Sequence, residues 1–444
     1  MSITTFVIIS LIKSIAVVFV LLTAVAYSVW LERKVSAHIQ NRWGPTRVGP
    51  FGLLQPLADG VKFIFKEDLT QPHVYKPLYI AAPIIAVVFA ITSISVIPFG
   101  NWVNLGPWGT YLQITDLNIG LLFILAISSL GIYGIVLGGW ASNSHYSLLG
   151  ALRSAAQLVS YETAAGLGLV SVLLLAGSLS MKDIVQAQLD QGVWFIFSVP
   201  FGFFIYLVGS IAETNRAPFD LPEAESELVA GYMTEYSGFR WSLYFLAEYA
   251  NMVIVAGIAT TVFLGGWLRP LASFHEHFPG TSIEWLDAFP SLLTLGVAFY
   301  CLSLAPKQPV KIQKIVMLAV AILCFILSGA LLAALFAPTR VLQGIHGAFW
   351  FMAKVFAYLY AFLWFRFTFP RYRFDQLMRL GWRFLIPLAL VNVIGVGVAI
   401  VLRQQLGWGP VASLIPTTLA TLGVAIWLAK DDAPAATVQT ADGE

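Results

Sequence analysis

The sequence is poor in charged residues and in cysteine. Only 11% of its 444 residues are charged, against about 25% in a typical soluble domain, and 58% are hydrophobic. Lipid is therefore the predicted solvent for most of the chain. The two cysteines, Cys301 and Cys324, lie in apolar segments with no His cluster nearby, which gives no support to a zinc site or to haem attachment. A net charge of +2 provides no field for binding nucleic acid.

The sequence shows neither the pattern expected of a cleavable leader nor an internal repeat. The first apolar run, 6–30, is longer than the core of a signal peptide, and no A-x-A cleavage site follows it. It is predicted to be a retained membrane helix. No fixed-period repeat is visible, although many transporters show one. The final residues, 431–444, are polar and rich in alanine, and are predicted to form a disordered tail.

Long apolar runs dominate what is present. A membrane helix needs about 20 predominantly apolar residues. Eleven segments come near that length: 6–30, 77–98, 117–140, 154–179, 193–212, 241–266, 288–305, 315–337, 346–368, 383–402 and 411–429. We predict an all-α, polytopic integral membrane protein with about eleven transmembrane helices, in which 1–430 is one transmembrane domain.

Lysine and arginine are distributed unevenly between the two sides of this predicted bundle. If the connections alternate and the first is cytoplasmic, the cytoplasmic side holds nineteen of the 25 and the other side four, and Lys13 and Lys354 lie inside helices. Cytoplasmic loops carry such an excess. The predicted topology therefore has the N-terminus outside and the C-terminus in the cytoplasm.

The connection after the first helix contains a short amphipathic pattern. Apolar residues recur at i, i+3, i+4 and i+7, and polar residues occupy the opposite face: Leu54, Leu57, Ala58, Val61, Ile64 and Phe65 against Gln55, Asp59, Lys62 and Lys66. A helix of about 15 residues with this pattern is too short and too charged to span the bilayer. It is either a helix that lies on the membrane surface or a wall or gate at the boundary between membrane and protein.

Acidic residues concentrate in the connection between the fifth and sixth apolar segments, which holds six of them, and in the sixth segment, which holds Glu248. Seven of the 23 lie in 212–251: Glu213, Asp220, Glu223, Glu225, Glu227, Glu235 and Glu248. Pro218 and Pro222 prevent a helix across 217–222, and a short helix is predicted to begin at Pro222. A solvated acidic helix start explains Glu223 and Glu225. A set of carboxylates that titrate together, as in a proton site, is the alternative.

Two carboxylates lie inside apolar segments. Glu162 and Glu248 are each about two turns into their predicted helices. A carboxylate at membrane depth costs roughly 2.5–3.5 kcal/mol on insertion scales, so it tends to face protein or a water-filled cavity. One such residue is as readily a structural hydrogen-bond partner as a functional group. Two of them beside an acidic loop favour function.

Four long blocks resemble a known family. They are ERKVSAHIQNRWGPTRVGPFGLLQPLADGVKFIFKED at 32–68, DLNIGLLFILAISSLGIYGIVLGGWASNSHYSLLGALRSAAQLVSYE at 116–162, AETNRAPFDLPEAESELVAGYMTEYSG at 212–238, and FLWFRFTFPRYRFDQLMRLGWRFLIPL at 362–388. The chain resembles the H-subunit family of bacterial complex I, the proton-translocating NADH:quinone oxidoreductase; this family corresponds to mitochondrial NADH dehydrogenase subunit 1. Motifs of this length are far more specific than a short pattern match.

The resemblance implies a role and its residues. Members of this family form much of the quinone chamber, together with the soluble subunit that carries the terminal iron–sulfur cluster and its hydrogenase-like neighbour, and contact small and antiporter-like membrane subunits. They bind no cofactor; quinone is the substrate, and iron–sulfur clusters and FMN belong to partners. Proton-coupling roles are implied for Glu162, Glu213, Glu223, Glu225, Glu227, Glu235, Glu248 and Asp59. Quinone-chamber roles are implied for Glu32, Arg33, Arg42, Arg47, Arg216, Phe219 and Arg240.

The chain also departs from the usual family pattern of about eight spans. Residues 267–345 form an insertion with two extra predicted helices, and 411–429 adds one helix after the usual end. Two other functions remain open at this point. One is a homologous membrane subunit of a membrane-bound hydrogenase, or of a quinone oxidoreductase fed by a donor other than NADH. The other is a stand-alone ion carrier, which the missing repeat and the cytoplasmic polar block disfavour.

Overall fold

The computed structural model describes residues 3–100, 102–105, 108–221, 229–270, 284–308, 310–336, 340–407 and 414–431. The α-helices, in chain order, are α1 (Ile3–Ile39), α2 (Gln55–Phe65), α3 (Lys76–Ser93), α4 (Gly120–Ala141), α5 (His145–Ala176), α6 (Met181–Gln191), α7 (Phe195–Ser198), α8 (Pro200–Glu213), α9 (Gly238–Phe263), α10 (Glu284–Leu304), α11 (Lys311–Phe336), α12 (Arg340–Thr368), α13 (Phe374–Arg379), α14 (Ile386–Leu406) and α15 (Ile415–Asp431). A π-helical turn at Leu380–Leu385 joins α13 to α14.

Nine helical stretches within the described ranges are long and apolar enough to cross a membrane. They are Val7–Ile39, Lys76–Val96, Gly120–Ala141, His145–Ala176, Gly238–Phe263, Asp287–Lys307, Lys311–Ala333, Gly344–Thr368 and Phe374–Leu406. Two shorter apolar helices, Pro200–Glu213 and Ile415–Ala429, coincide with the remaining predicted segments. The prediction of an all-α, multi-pass membrane protein is therefore confirmed. A small antiparallel pair, β1 (Trp102–Leu105) and β2 (Trp108–Tyr111), lies between α3 and α4, with Trp102 opposite Tyr111.

The predicted segment 193–212 is a broken helix. α7 ends at Ser198 and α8 begins at Pro200. Proline lacks the N–H that would continue a helix, and it disfavours helical backbone at the preceding residue, Val199. At 1.5 Å per residue, α8 is about 21 Å long, which is shorter than the hydrocarbon core of a bilayer at about 30 Å. The two pieces together reach about 28 Å.

α9 is the central helix of the bundle. In its apolar window 83% of residues are buried, a larger share than in any other candidate span that the structure describes. Small residues such as Ala250, Ala256 and Gly257 line it and allow neighbouring helices to approach closely. α1, α3 and α12 pack directly against it.

A buried lysine, Lys354, binds the turn that follows the C-terminal end of α9. The Lys354 ammonium of α12 donates hydrogen bonds to the backbone oxygens of Leu264, Gly266 and Leu268, at 2.6, 2.9 and 2.5 Å. It also lies 4.4 Å from the ring centre of Trp194. These oxygens belong to the C-cap residue and the turn that follow Phe263, so the lysine satisfies buried backbone groups that no helix pairs.

α2 has its polar face toward α1 and its apolar face outward. Asp59 accepts hydrogen bonds from Arg33 of α1 at 2.7 Å and from Gln55 at 3.0 Å. On the opposite face Leu57, Ile64 and Phe65 are 70%, 66% and 83% exposed. A helix with an uncovered apolar face suits the lipid–water interface. The helix has 11 residues, fewer than the predicted 15 or so.

α10 and α11 form a helical hairpin within the range 267–345. They pack mainly on each other, through a small cluster that includes Cys301, Met317 and Ala321. α11 also contacts α12 and the 3₁₀ turn Pro50–Gly52, which precedes α2. The hairpin therefore stands at one side of the bundle, beside the connection between α1 and α2.

Candidate functional site

A small polar cavity lies between α3, α4, α5, α8 and α9. Its volume is about 50 Å³, and three glutamates from three different helices line it: Glu162 of α5, Glu213 at the end of α8, and Glu248 of α9. A single water needs about 10–15 Å³ of such space, so a few water molecules fit. The cavity brings together carboxyl groups that are distant in the sequence.

Two of the three carboxyl groups have a hydroxyl partner. The Ser129 hydroxyl of α4 donates to Glu162. The Tyr232 hydroxyl donates to Glu248 at 2.9 Å. Because α5 begins at His145 and not at 154, Glu162 lies about five turns into its helix, deeper than the sequence suggested.

A chain of alternating charges leads away from the cavity. The two terminal nitrogens of Arg216 lie 3.8 Å from Glu248 Oε2 and 3.8 Å from Glu32 Oε1. Glu32 also pairs with Arg366 of α12 and accepts a hydrogen bond from the Tyr249 hydroxyl at 2.7 Å. Arg216 and Glu248 are 7% and 8% exposed, so water screens their interaction little.

The aromatic ring of Tyr249 supports this arrangement. The Arg216 guanidinium lies 4.1 Å from its ring centre, in the geometry of a cation–π contact. The same tyrosine holds Glu32 through its hydroxyl group. Tyr249 thus fixes both members of the Arg216–Glu32 pair.

Gln157 of α5 holds the loop that carries Arg216. Its amide nitrogen donates to the carbonyl oxygens of Ala212 and Phe219, each at 2.8 Å. Asn215 adopts a left-handed backbone conformation (φ 51°), which asparagine tolerates better than most residues. These contacts turn the chain sharply after α8 and place Arg216 beside Glu248 and Tyr249 of α9.

The segment before α13 covers the same loop. The Tyr372 ring stacks on Phe219 with ring centres 5.5 Å apart, and its backbone N–H donates to the Pro218 carbonyl at 3.1 Å. Arg371 donates to the Asp220 carbonyl. On the other side, the Tyr161 ring lies 5.6 Å from Phe219. Phe219 is thus a buried anchor for the loop.

The remaining predicted residues lie in three places. Asp59 and Arg33 pair beside the charge chain, at the junction of α1 and α2. Arg240 pairs with Asp68 at 2.9 Å, and the Glu235 backbone oxygen accepts a bond from Tyr79 at 2.6 Å. Two arginines are exposed at the surface: Arg42 and Arg47. Three predicted acidic residues fall outside the described residues: Glu223, Glu225 and Glu227. The helix that is predicted to begin at Pro222 falls outside them too.

Sequence reasoning missed several partners of these groups. They are Ser129, Gln157, Tyr232, Tyr249 and Arg366. An arginine in the last turn of a predicted membrane helix was a usable signal for Arg366, because such a charge needs a partner. The hydroxyl and amide partners carry no comparable signal in a single sequence.

Comparisons with known proteins agree on one family. The NADH dehydrogenase family profile matches residues 12–397. The second H-type subunit of the NADH-quinone oxidoreductase of Koribacter versatilis is 48% identical over 417 residues, which cover 90% of this chain and 99% of that protein. The first H-type subunit of Solibacter usitatus is 48% identical (88% and 96% covered), and that of Geobacter metallireducens is 44% identical (89% and 97% covered).

The matches cover nearly the whole length of each of these relatives. The region that the family profile matches includes the cavity glutamates, Arg216, Glu32 and Arg366. The resemblance predicted from the four sequence blocks is thereby confirmed. The chain belongs to the NADH dehydrogenase family, as a multi-pass membrane subunit of the NADH-quinone oxidoreductase enzyme complex.

Proposed function

We propose that this chain forms the membrane part of a quinone-binding chamber and couples quinone reduction to proton translocation. One observation carries the proposal: a cavity lined by three glutamates is joined by Arg216 to a second charge cluster, Glu32 and Arg366. An ionisable residue inside a membrane segment is by default a functional-site hypothesis, and proton relays are among the functions that such residues serve. The relatives' names associate the family with quinone.

The charge chain supplies a physical route for coupling. Arg216 lies at the same 3.8 Å distance from two carboxylates, so a new charge near Glu32 changes its attraction to Glu248. At such distances an interaction between unit charges is worth about 4 kcal/mol at an effective dielectric constant of 20. A transiently negative quinone beside Glu32 and Arg366 would attract Arg216 and leave Glu248 less compensated, which favours proton uptake by the cavity.

The proposed chamber faces the ends of α1, α9 and α12 that carry this cluster. Glu32, Arg216 and Arg366 supply polar groups there, and Arg33 and Asp59 extend them toward α2. Phe219 and Arg240 hold the surrounding loops. The exposed Arg42 and Arg47 suit a partner subunit that completes the chamber. The acidic residues Glu223, Glu225, Glu227 and Glu235 lie in the connecting segment and belong to the same proposal.

Soluble partner subunits are proposed to dock on the blocks 32–68, 213–240 and 369–382. Large apolar side chains are exposed in all three: Trp43 is 87% exposed, Phe239 48%, Phe369 53% and Trp382 57%. Aromatic residues and arginine are enriched at protein interfaces. In this assembly the partners carry the iron–sulfur clusters and FMN, and further small and antiporter-like subunits contact the chain within the membrane.

Orientation and electron donor belong to the same proposal. The excess of lysine and arginine on one side supports an outside N-terminus and a cytoplasmic C-terminus in the inner membrane. The relatives' names favour NADH as the ultimate donor over a hydrogenase-type donor. A stand-alone ion carrier is the weaker alternative, because the sequence shows no fixed-period repeat and because the three proposed docking blocks expose aromatic side chains that suit partner subunits.

The test uses the whole complex, purified and reconstituted in liposomes. Glu162→Gln and Glu248→Gln remove charge and keep shape; Asp183→Asn, at an exposed position of α6, is the matched control. Quinone reduction and proton uptake are measured together. We expect both rates to fall at least about tenfold in each glutamate variant, the scale of lost proton-transfer catalysis. Assembled variants with normal quinone reduction and normal pumping would refute the coupling role.

A further inference from the structure

The α10–α11 hairpin carries three lysines at the turn between its two helices. Lys307 ends one candidate membrane span and Lys311 begins the next, so a hairpin that crosses the bilayer places this turn at the boundary of lipid and water. Lys314 follows on the same face of α11 as Lys311. All three side chains are exposed. The hairpin thus presents a group of cations at one membrane surface, the side that the excess of lysine and arginine predicts to be cytoplasmic.

No carboxylate of the hairpin neutralises these three lysines. The sequence contains no acidic residue between Asp287 and Asp375. The ion pairs formed within the described part of the chain do not include the three lysines either. The 3₁₀ turn that α11 contacts, Pro50–Gly52, lies in a stretch, 33–58, that also has no acidic residue. A negatively charged ligand would therefore supply compensation that the neighbouring segments do not.

Apolar side chains are exposed directly beside the lysines. Val310, Ile312 and Ile315 are 48%, 62% and 64% exposed, and Leu302 is 44% exposed. A lysine can lay its apolar stem along such a surface while its ammonium group reaches the headgroups. The hairpin turn therefore offers both parts that a phospholipid needs, an apolar surface for acyl chains and cations for a phosphate. A soluble acidic protein would match the cations alone.

We propose that this end of the hairpin binds an anionic phospholipid. The lipid phosphate accepts charge-assisted hydrogen bonds from the ammonium groups, and the acyl chains lie against Ile312 and Ile315. A zwitterionic lipid also has a phosphate, but its own cation cancels most of the attraction. The hairpin is an addition to the usual family pattern, and its lipid site does not depend on the glutamate cavity or on quinone.

The test is an amine-reactive footprint of the whole purified complex, stripped of lipid in detergent and checked by a phosphorus assay. A water-soluble acylating reagent modifies exposed lysines, and mass spectrometry measures the rate at each one while phosphatidylglycerol or phosphatidylcholine is titrated. Each basic residue near an anionic membrane surface adds about fivefold in binding. We expect phosphatidylglycerol to protect Lys307, Lys311 and Lys314 at a concentration at least about fivefold below that for Lys76, a lone exposed lysine at the start of α3. Phosphatidylcholine should protect the three lysines at least about fivefold less well.

Two double variants keep Lys307 as the reporter. Lys311→Gln with Lys314→Gln should raise the protecting concentration for Lys307 to that for Lys76. Lys311→Arg with Lys314→Arg retains both charges and is the matched control, so protection of Lys307 should persist. Salt at 1 M, where the Debye length falls to about 3 Å, should remove the difference between the two lipids.

Several outcomes would overturn the proposal. They are equal protection by the two lipids in the unaltered complex, one protecting concentration for Lys307 and Lys76, and a Gln variant that behaves as the Arg variant does. Lysines of the hairpin that stay unreactive in the lipid-free complex would show that a protein partner covers them, which would overturn the proposal as well.

Discussion

Arg216 lies between two carboxylates that come from different helices. Its guanidinium is 3.8 Å from Glu32 and 3.8 Å from Glu248, and the Tyr249 ring covers its face. Glu32 has a second cation in Arg366, whereas the ion pair that the structure gives to Glu248 is with Arg216. The two carboxylates therefore depend on Arg216 to different degrees.

Arg216→Gln should destabilise the chain and uncouple the complex. Removal of one partner of a buried ion pair costs about 3–5 kcal/mol, because the other charge stays buried. We expect less assembled complex and a lower midpoint of thermal unfolding. Adding Glu248→Gln should restore most of the assembly, since the stranded charge is gone, but not proton pumping. Arg403→Gln, at the end of α14, is the control. Full pumping in the assembled double variant would contradict this role.

The sequence indicated some of these residues and not their partnerships. Glu162 and Glu248 were recognisable because a carboxylate in an apolar run is costly. Glu32 and Arg216 entered only through the family resemblance. Their contact could not be predicted, because hydropathy gives the length of each helix but not which helices are neighbours. Arg366 and Tyr249 reach Glu32 from two other helices, α12 and α9.

At the scale of elements, close packing against α5 positions the cavity. An added Cβ at Gly150 of α5 would lie 2.7 Å from the Gly231 Cα and 2.8 Å from the Tyr232 nitrogen. Tyr232 is the residue that donates to Glu248. The turn Gly231–Met233 can thus reach the cavity only because position 150 has no side chain.

Gly150→Ala and Gly166→Ala form a matched pair on this helix. Gly166 has nothing within 4 Å of its added Cβ. Alanine there should be neutral or stabilise the helix by up to about 1 kcal/mol. At position 150 it should cost about 1–3 kcal/mol by overpacking and lower proton pumping, because Tyr232 is displaced. Thermal unfolding and dye-based pumping assays measure both. Equal behaviour of the two variants would show that this contact is unimportant.

The observed ends of the helices show which local sequence signals can predict where a helix begins or breaks. The break between α7 and α8 follows from Pro200, which the sequence displayed but the apolar count ignored. α6, with acidic and amide side chains over 11 residues, lacked a long apolar run and was overlooked. The start of α5 at His145 was missed because its first turns are less apolar than its core. Hydropathy therefore predicts where the apolar spans lie, but it does not predict breaks within them or the more polar helical residues before and between them.

For the whole molecule, the α10–α11 hairpin is predicted to be dispensable for quinone reduction. It packs mainly on itself and contacts the core at α12 and Pro50–Gly52. Replacing 271–339 with a Gly/Ser linker retains Leu264, Gly266 and Leu268, which bind Lys354. We expect the complex to assemble and reduce quinone at a similar rate. Intact assembly with abolished quinone reduction would assign the hairpin to the chamber.

The orientation of the whole chain is tested by a pair of fusions. A reporter that is active only in the cytoplasm is joined after Lys430, and a second is joined before residue 3. The excess of lysine and arginine on one side predicts an active C-terminal reporter and an inactive N-terminal one. Protease accessibility of each fusion in sealed vesicles provides the control. The reverse pattern on stable, inserted protein would show that the predicted topology is inverted.

α2 connects an exposed apolar surface to the charge chain of the candidate site. Its exposed side, with Leu57 and Phe65, suits the lipid–water interface, while Asp59 on its other side pairs with Arg33, the next residue along the chain from Glu32. Any amphiphile that shifts this small helix pulls on the residue beside the first carboxylate of the charge chain. We therefore expect acyl length, headgroup size and the choice of detergent to change turnover through this helix, so that rates measured in micelles and in vesicles differ.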